Sequence, residues 1–366
     1  MLDPENPMKS VTPQDESNIT LREIYGQPTL WRTTPGLVED ASFRLDLASL
    51  FRGKRVLLTG AGTSAYAAAA VAAAWPQAIA VPTTDLLLDP ERQSYGVDAV
   101  ISLARSGNSP ESVAVVERIR SLHPQIYQLA ITCNPDGALA KSTLDGLIAL
   151  DPRTNDRSLV MTSAFSNLVL AGLCLADPAS VAASVEDVSL RATAMLPAID
   201  EQCRRLASRV QDRIVMLSSS PSVSWAQEAS LKALEMTAGR FPVLAESYLG
   251  LRHGPMSFVR PDTLVMCLLS SDPLRRLYEK DLIDELRTKK LGYVVAIGDG
   301  EKDGGLAAEV LPAIAPSLPD ALRTPYEIVS PQLFGYHLSL RIGLNPDNPS
   351  PGGIISRVVQ GVRIYE

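Results

Sequence analysis

The sequence predicts an α/β protein made of two doubly wound lobes, each a parallel sheet flanked by helices, behind an N-terminal helical segment. Three observations carry that prediction. Short apolar runs alternate with helix-like stretches, the pattern of βαβ units. Several of the runs end in loops of glycine, serine and threonine. The order of elements in the first half returns in the second, at offsets near 158 to 166 residues. Length agrees, since 366 residues exceed the roughly 100–200 typical of one domain.

Residues 1–18 hold prolines, acids and amides without an apolar period and read as a loose arm. From Thr20 to about Leu50 the spacing is helix-like, with breaks expected at Pro28 and Pro35. Arg55 to Thr59 is a short apolar strand, followed by Gly60-Ala-Gly-Thr-Ser64 and an alanine-rich helix. Val97 to Ala104 is a second strand, ended by Arg105-Ser-Gly-Asn-Ser-Pro-Glu-Ser112 and a helix through about Leu122; Ile126 to Thr132 is a third. Arg213 to Leu217, Asp262 to Ser270 and Tyr293 to Ile297 repeat the three strands. The divide falls between Asp177 and Leu196, giving an arm and helical segment over 1–45, a first lobe over 46–190 and a second over 191–366.

A net charge of −7 argues against nucleic acid or an anionic membrane surface as partner. Four cysteines without a CxxC pair read as buried free thiols of a reducing compartment. The isolated histidines, His123, His253 and His337, give no zinc-ligand spacing, so a zinc site is not expected. The longest apolar run, Ala65 to Trp75, stops at Pro76, and the N-terminus lacks the order of a signal peptide. The expected location is the cytoplasm.

Parallel sheets bind ligands beyond the carboxyl ends of their strands, and three segments fall there. Gly60 to Ala65 can expose N–H groups to an anion at a helix start. It also reads as a capped tight turn, or as a relaxed dinucleotide loop with Asp85 as the ribose acid. In Arg105 to Ser112, Ser109 suits the N-cap and Pro110 the first helical position. Ser106, Gly107, Asn108 and Arg105 then add the hydroxyl, backbone and guanidinium donors of a phosphate cradle. The corresponding Ser270-Ser-Asp-Pro273 has lost its glycine and gained an acid, so one phosphate site is expected. In the third segment Glu228, Lys232 and Glu235 fall on one helix face, as a solvated stripe or an acid–base set. Beyond an irregular stretch, Phe241 to Leu249, His253 lies on a loop between Arg252 and a Gly-Pro turn.

Together these segments resemble the sugar isomerase (SIS) family, in its branch of amino-sugar-phosphate deaminases and ketose/aldose isomerases. The likeness spans about residues 20–366 and includes Arg22 to Pro28, Trp31, Gly60 to Ser64, Ala104 to Ser112, Met161 to Phe165, Glu235 to Gly239, Arg252 to Pro255, Asn345 to Pro349 and Arg357 to Val362. The resemblance implies two SIS-type lobes and no cofactor. By matched position it implies that Ser106 and Ser109 bind phosphate, that Gly107 and Asn108 supply backbone donors, and that Thr63 and Ser64 touch the sugar or its phosphate. It further implies that Glu235 moves a proton between C1 and C2, that Lys232 assists charge at the carbonyl or amine, and that His253 opens the pyranose ring from a neighbouring subunit. A homodimer or higher homo-oligomer with shared active sites follows. The implied reaction converts galactosamine 6-phosphate to tagatose 6-phosphate plus ammonia, a hydrolytic deamination. Simple aldose–ketose isomerisation and glucosamine-6-phosphate deamination are the alternatives, and a non-catalytic sugar-phosphate sensor is the alternative of another class. The glucosamine-6-phosphate synthase branch has serine and glutamine where this chain has Ala104 and Arg105. It also carries a tail lysine, whose place is left here to Arg357 or His337.

Overall fold

The computed structural model describes residues 18–299, 302–359 and 361–365. The expected arm at residues 1–17 lies outside the described residues. Helices α1 (Ile19–Leu45) and α2 (Leu47–Leu50) precede the first sheet. Its parallel strands are β1 (Val56–Thr59), β2 (Ala78–Ala80), β3 (Ala99–Ala104), β4 (Tyr127–Thr132) and β5 (Gly146–Ala149), in spatial order β2-β1-β3-β4-β5. Between and after them run α3 (Thr63–Ala74), α4 (Thr83–Leu88), α5 (Pro90–Gln93), α6 (Pro110–Leu122) and α7 (Ser163–Ala176). The long α8 (Pro178–Arg209) leads to the second sheet, and the divide expected at 190/191 falls inside it.

The second sheet holds β6 (Ile214–Ser218), β7 (Val243–Ser247), β8 (Leu264–Leu268), β9 (Tyr293–Gly298) and β10 (Glu309–Pro312). Its order, β7-β6-β8-β9-β10, is that of the first sheet, again all parallel. The registers correspond, Val56 lying opposite Ala99 and Ile214 opposite Leu264. The accompanying helices are α9 (Val223–Met236), α10 (Tyr248–Leu251), α11 (Pro273–Thr288), α12 (Asp320–Glu327) and α13 (Val329–Arg341). No helix among the described residues is long and apolar enough to cross a membrane.

Side chains of a strand alternate between faces, and the core follows that rule. Val56, Leu58, Ile101 and Leu103 of the first sheet join Ile214, Met216, Leu264 and Met266 of the second in one continuous core, completed by helices such as α1, α7, α8 and α13. Leu57 and Val100 face the other way, under Leu86, Val115 and Ile119. Val215, Leu217, Val265 and Cys267 likewise face Leu282, Ile283 and Leu286 of α11. Central strands covered on both faces must be apolar throughout, which is why they read as unbroken runs.

Two local expectations are corrected. The N-terminal segment is not broken at its prolines: α1 runs through Pro28 and Pro35. Proline removes the donor owed to the carbonyl four residues back. At Pro28 that carbonyl belongs to Ile24, and the Gln27 side-chain amide donates to it at 3.1 Å. The stretch Phe241 to Leu249, read as irregular, contains β7 and the start of α10.

Candidate active site

Five chain segments meet at a cleft of about 530 Å³ beyond the carboxyl ends of β1 and β3. Its walls are the β1–α3 turn (61–64), the β3–α6 loop with the first turn of α6, Glu235 of α9, Leu159 and Met161, and the tail at 353–359. Gly60 starts the first turn so closely that a Cβ there would lie 2.5 Å from the Ser64 backbone. Gly107 sits at φ 63, in the left-handed region that glycine adopts without strain.

The loop presents hydroxyls. Ser106 is buried beside the cleft, and its Oγ accepts the Asn108 N–H at 3.2 Å, leaving the hydroxyl proton to donate. Ser109 stands at the N-cap of α6, but its side chain makes no capping hydrogen bond; it lines the cleft instead. Ser112, one turn on and on the same face, also lines the cleft. It belongs to the same serine-rich run, and its three-residue spacing from Ser109 is the signal that marks it. Hydroxyls and two helix starts facing one cleft are the kinds of donor that favour an anion.

The facing wall carries charge. Glu228, Lys232 and Glu235 share one face of α9, and the solvated-stripe alternative is excluded because Glu228 and Lys232 have side chains 0% exposed. Lys232 Nζ lies 2.6 Å from Glu235, 3.3 Å from Glu228 and 3.2 Å from Thr63 Oγ1. Thr63 in turn donates to Glu228 at 3.3 Å, so its hydroxyl joins α3 to α9. Burial would pull the Lys232 ammonium down, but Glu228 and Glu235 together raise it, holding it charged. Burial pushes the Glu228 carboxyl up to about 8, opposed by Lys232 and helped by Glu235. Its Oε2 has no hydrogen-bond partner, a position in which the neutral acid costs less than the carboxylate. Glu235 alone of the three reaches the cleft, its side chain 23% exposed. A carboxylate open to a ligand, backed by a buried ammonium, suits a base that shuttles a proton. Glu228 was visible only as a stripe member, because nothing in the spacing tells a buried acid from a solvated one.

Thr63, Ser64, Ser106, Gly107, Ser109 and Glu235 therefore converge on the cleft, with Lys232 directly behind. The other three expected residues are engaged elsewhere or lie outside it. Arg105 borders the cleft, but its Nη1 donates to the carbonyls of Ser158 at 3.3 Å and Leu159 at 3.0 Å, and its Nη2 to the Arg357 carbonyl at 2.5 Å. It holds the tail against the loop rather than offering its fork to an anion. The Asn108 N–H is used by Ser106, and its Oδ1 accepts the Ala138 N–H at 3.0 Å. Its side chain is exposed and outside the cleft lining. His253 is exposed just beyond α10 and does not line the cleft of its own chain; beside it Arg252 is paired with Asp281 and Glu285 of α11. Of the two residues in question for the tail-lysine place, Arg357 borders the cleft, its Nε donating to the Asp156 carbonyl at 2.8 Å and its Nη2 to Asn155 Oδ1 at 2.5 Å. His337 pairs with Asp200 of α8, outside the cleft.

The SIS domain model matches residues 49–176, the lobe that holds the serine loop. The chain is 37% identical to the D-galactosamine-6-phosphate deaminase AgaS of Shewanella sp., over 94% of this chain and 91% of that one. It is 34% identical to the Escherichia coli protein of the same description, over 94% and 95%. Among solved structures it superposes on the tagatose-6-phosphate ketose/aldose isomerase of Escherichia coli with a TM-score of 0.83 and 31% identity, covering 95% of this chain and 97% of the other. With that identity sustained over nearly the whole length of each partner, the chain belongs to the SIS-domain family, in the group of the AgaS proteins.

Proposed function

We propose that the protein is a hexosamine-6-phosphate deaminase that converts galactosamine 6-phosphate and water to tagatose 6-phosphate and ammonia. The observation that carries the reading is the placing of Glu235, backed by Lys232, in the same cleft as the serine loop. Its relatives of that activity, at 34% and 37% identity, support the choice of substrate.

The phosphate is held by Ser106, Ser109 and Ser112 at the start of α6, with Ser64 across the cleft. An anchor remote from the reacting carbons orients the other end of the sugar and leaves it free for chemistry. Once the ring is open, Glu235 takes the C2 proton. The electron pair forms the C1–C2 double bond of an enolamine as the C1 carbonyl oxygen gains a proton. Glu235 then returns a proton to C1, the C2–nitrogen bond becomes a ketimine, and water adds at C2 to expel ammonia. Lys232 stabilises the negative charge that develops next to Glu235, and Glu228 stores a proton behind it. His253 of a second copy opens the ring, which makes the working unit a homo-oligomer, acting in the cytoplasm.

The name of the superposed isomerase motivates a second reading, in which the same groups run an aldose–ketose isomerisation through an enediol. Incubation with galactosamine 6-phosphate deuterated at C2, read by ammonia assay and NMR, separates the two. Deamination predicts ammonia release, with deuterium carried in part to C1 of the product. No ammonia from either galactosamine or glucosamine 6-phosphate, with aldose–ketose interconversion intact, replaces the first reading by the second. Loss of both refutes the two together.

A further inference from the structure

The serine loop of the first lobe has a counterpart in the second, and the chain fills it from within. β8 leads through Leu269, Ser270, Ser271 and Asp272 into α11, with Pro273 at its first position, as Ser109 and Pro110 lead into α6. The two strands hold the central place in sheets of the same order. In both loops a serine hydroxyl accepts the N–H two residues on, Asn108 to Ser106 at 3.2 Å and Asp272 to Ser270 at 3.0 Å. The difference lies in what meets the donors. The Asp320 carboxylate receives the Ser271 N–H at 2.7 Å, the Ser271 hydroxyl at 3.0 Å and the Ser270 hydroxyl. Arg323 at 3.3 Å and Arg275 at 3.4 Å balance its charge. Burial alone would raise the Asp320 acid, yet these donors hold it below its usual range, as expected for an anion seated among them. Glu279 occupies the rest of the loop, accepting the Ser270 N–H at 2.8 Å and the Ser219 hydroxyl at 2.6 Å.

We infer that Asp320 is a built-in anion: its carboxylate occupies the second lobe's oxyanion cradle and closes it to sugar phosphates. The same contact fastens the start of α12, a helix that packs against α3, α7, α8 and α9. A vacated site would otherwise leave two serine hydroxyls and a backbone N–H without their acceptor, and Arg323 and Arg275 with Glu327 and Asp272 alone as carboxylate partners. The occupied cradle is thus a clamp behind the two helices, α3 and α9, that carry the first lobe's site. Deleting the carboxylate leaves a pocket whose donors suit a small oxyanion.

Thermal denaturation of Asp320→Ala in sodium chloride and in sodium formate at equal ionic strength tests this. In chloride the Tm falls by roughly 5–10 °C, since a buried charge network has lost one partner. Saturating formate returns at least half of that loss. The wild type and Asp320→Asn show no formate-specific shift, because a side chain still fills the space. Recovery of folded Asp320→Ala only from formate-containing buffer counts as the same rescue. A variant as stable as the wild type in chloride, equal destabilisation in both salts, or failure to recover it from either overturns the inference. Substrate takes no part in the measurement, so its outcome is independent of the deaminase reading.

Discussion

Replacing Glu228 by glutamine removes one titrating proton from behind the site with little change of shape. The carboxyl lies against Lys232 and Thr63 through Oε1 while Oε2 has no partner. Its pKa moves from 4.5 to about 8 on folding, driven by burial. Between those values the native protein keeps a proton that the unfolded chain has lost, so stability falls as pH rises through the window and levels off above it. At about 1.4 kcal/mol per pH unit, the full span is on the order of 5 kcal/mol at most. Lys232 adds no slope there: its raised pKa adds stability that is complete below 10.5 and is lost only as pH rises through its higher folded value. Glu23, pushed up to about 7 by burial and then by Asp156, acts in the same sense as Glu228 but is common to both proteins and cancels. Urea denaturation of wild type and Glu228→Gln at intervals from pH 5 to 8.5 reads the difference. The variant should gain on the wild type by on the order of a few kcal/mol as pH rises. Parallel curves would refute the reasoning, because they mean that Glu228 stays ionised beside Lys232 throughout.

Glu235→Gln should lower kcat by about 10²–10⁴-fold with little change in KM, since it removes the proton carrier and not the anchor; wild-type turnover in steady-state assays would remove Glu235 from the role of base. Ser106→Ala and Ser112→Ala should each raise KM for the phosphorylated sugar by about ten- to a hundredfold, the weight of one hydrogen bond to a charged group. The same variants should leave turnover of unphosphorylated galactosamine unchanged, and an equal loss on both substrates would count against a phosphate cradle. Arg105→Met should free the tail at 353–359, because Arg105 ties its Arg357 carbonyl to the carbonyls of Ser158 and Leu159. Limited proteolysis would then cut that segment faster, and unchanged protection would show that the arginine does not secure it. Gln27→Leu should cost about 1–3 kcal/mol or more by leaving the Ile24 carbonyl, the Gln332 side-chain oxygen and the Ser166 hydroxyl without the partner that Gln27 provides, measured by urea denaturation; no loss would mean that α1 passes Pro28 without need of these bonds.

Why some of this was legible in the sequence, and some not, follows from where information about each residue resides. β1, β3, β4, β6, β8 and β9 are covered on both faces over most or all of their length, so burial forces an apolar run that any reader can find. β2 and β7 are edge strands, partly open along their length, and the apolar stretch in each is only three residues long. The course of α1 through Pro28 depends on the Gln27 side chain replacing a backbone donor, a local contact that propensity does not encode. At the cleft, Ser106, Gly107, Ser109, Thr63 and Ser64 lie together because backbone turns and helix starts dictate both their types and their place. Arg105 sits at the same strand end and was assigned to the anion by its charge. Its direction is instead set by the Arg357 carbonyl, 252 positions away. The second lobe makes the same point more sharply. The acid in Ser270-Ser-Asp272 suggested a cradle spoiled by Asp272, yet Asp272 turns to cap α11 through the N–H groups of Leu274 and Arg275. The carboxylate in the cradle comes from Asp320, which no motif ties to that loop. A loop's donors are written in its own residues, whereas the occupant that meets them is decided by whichever segment the fold brings opposite; the two lobes share the first property and differ in the second.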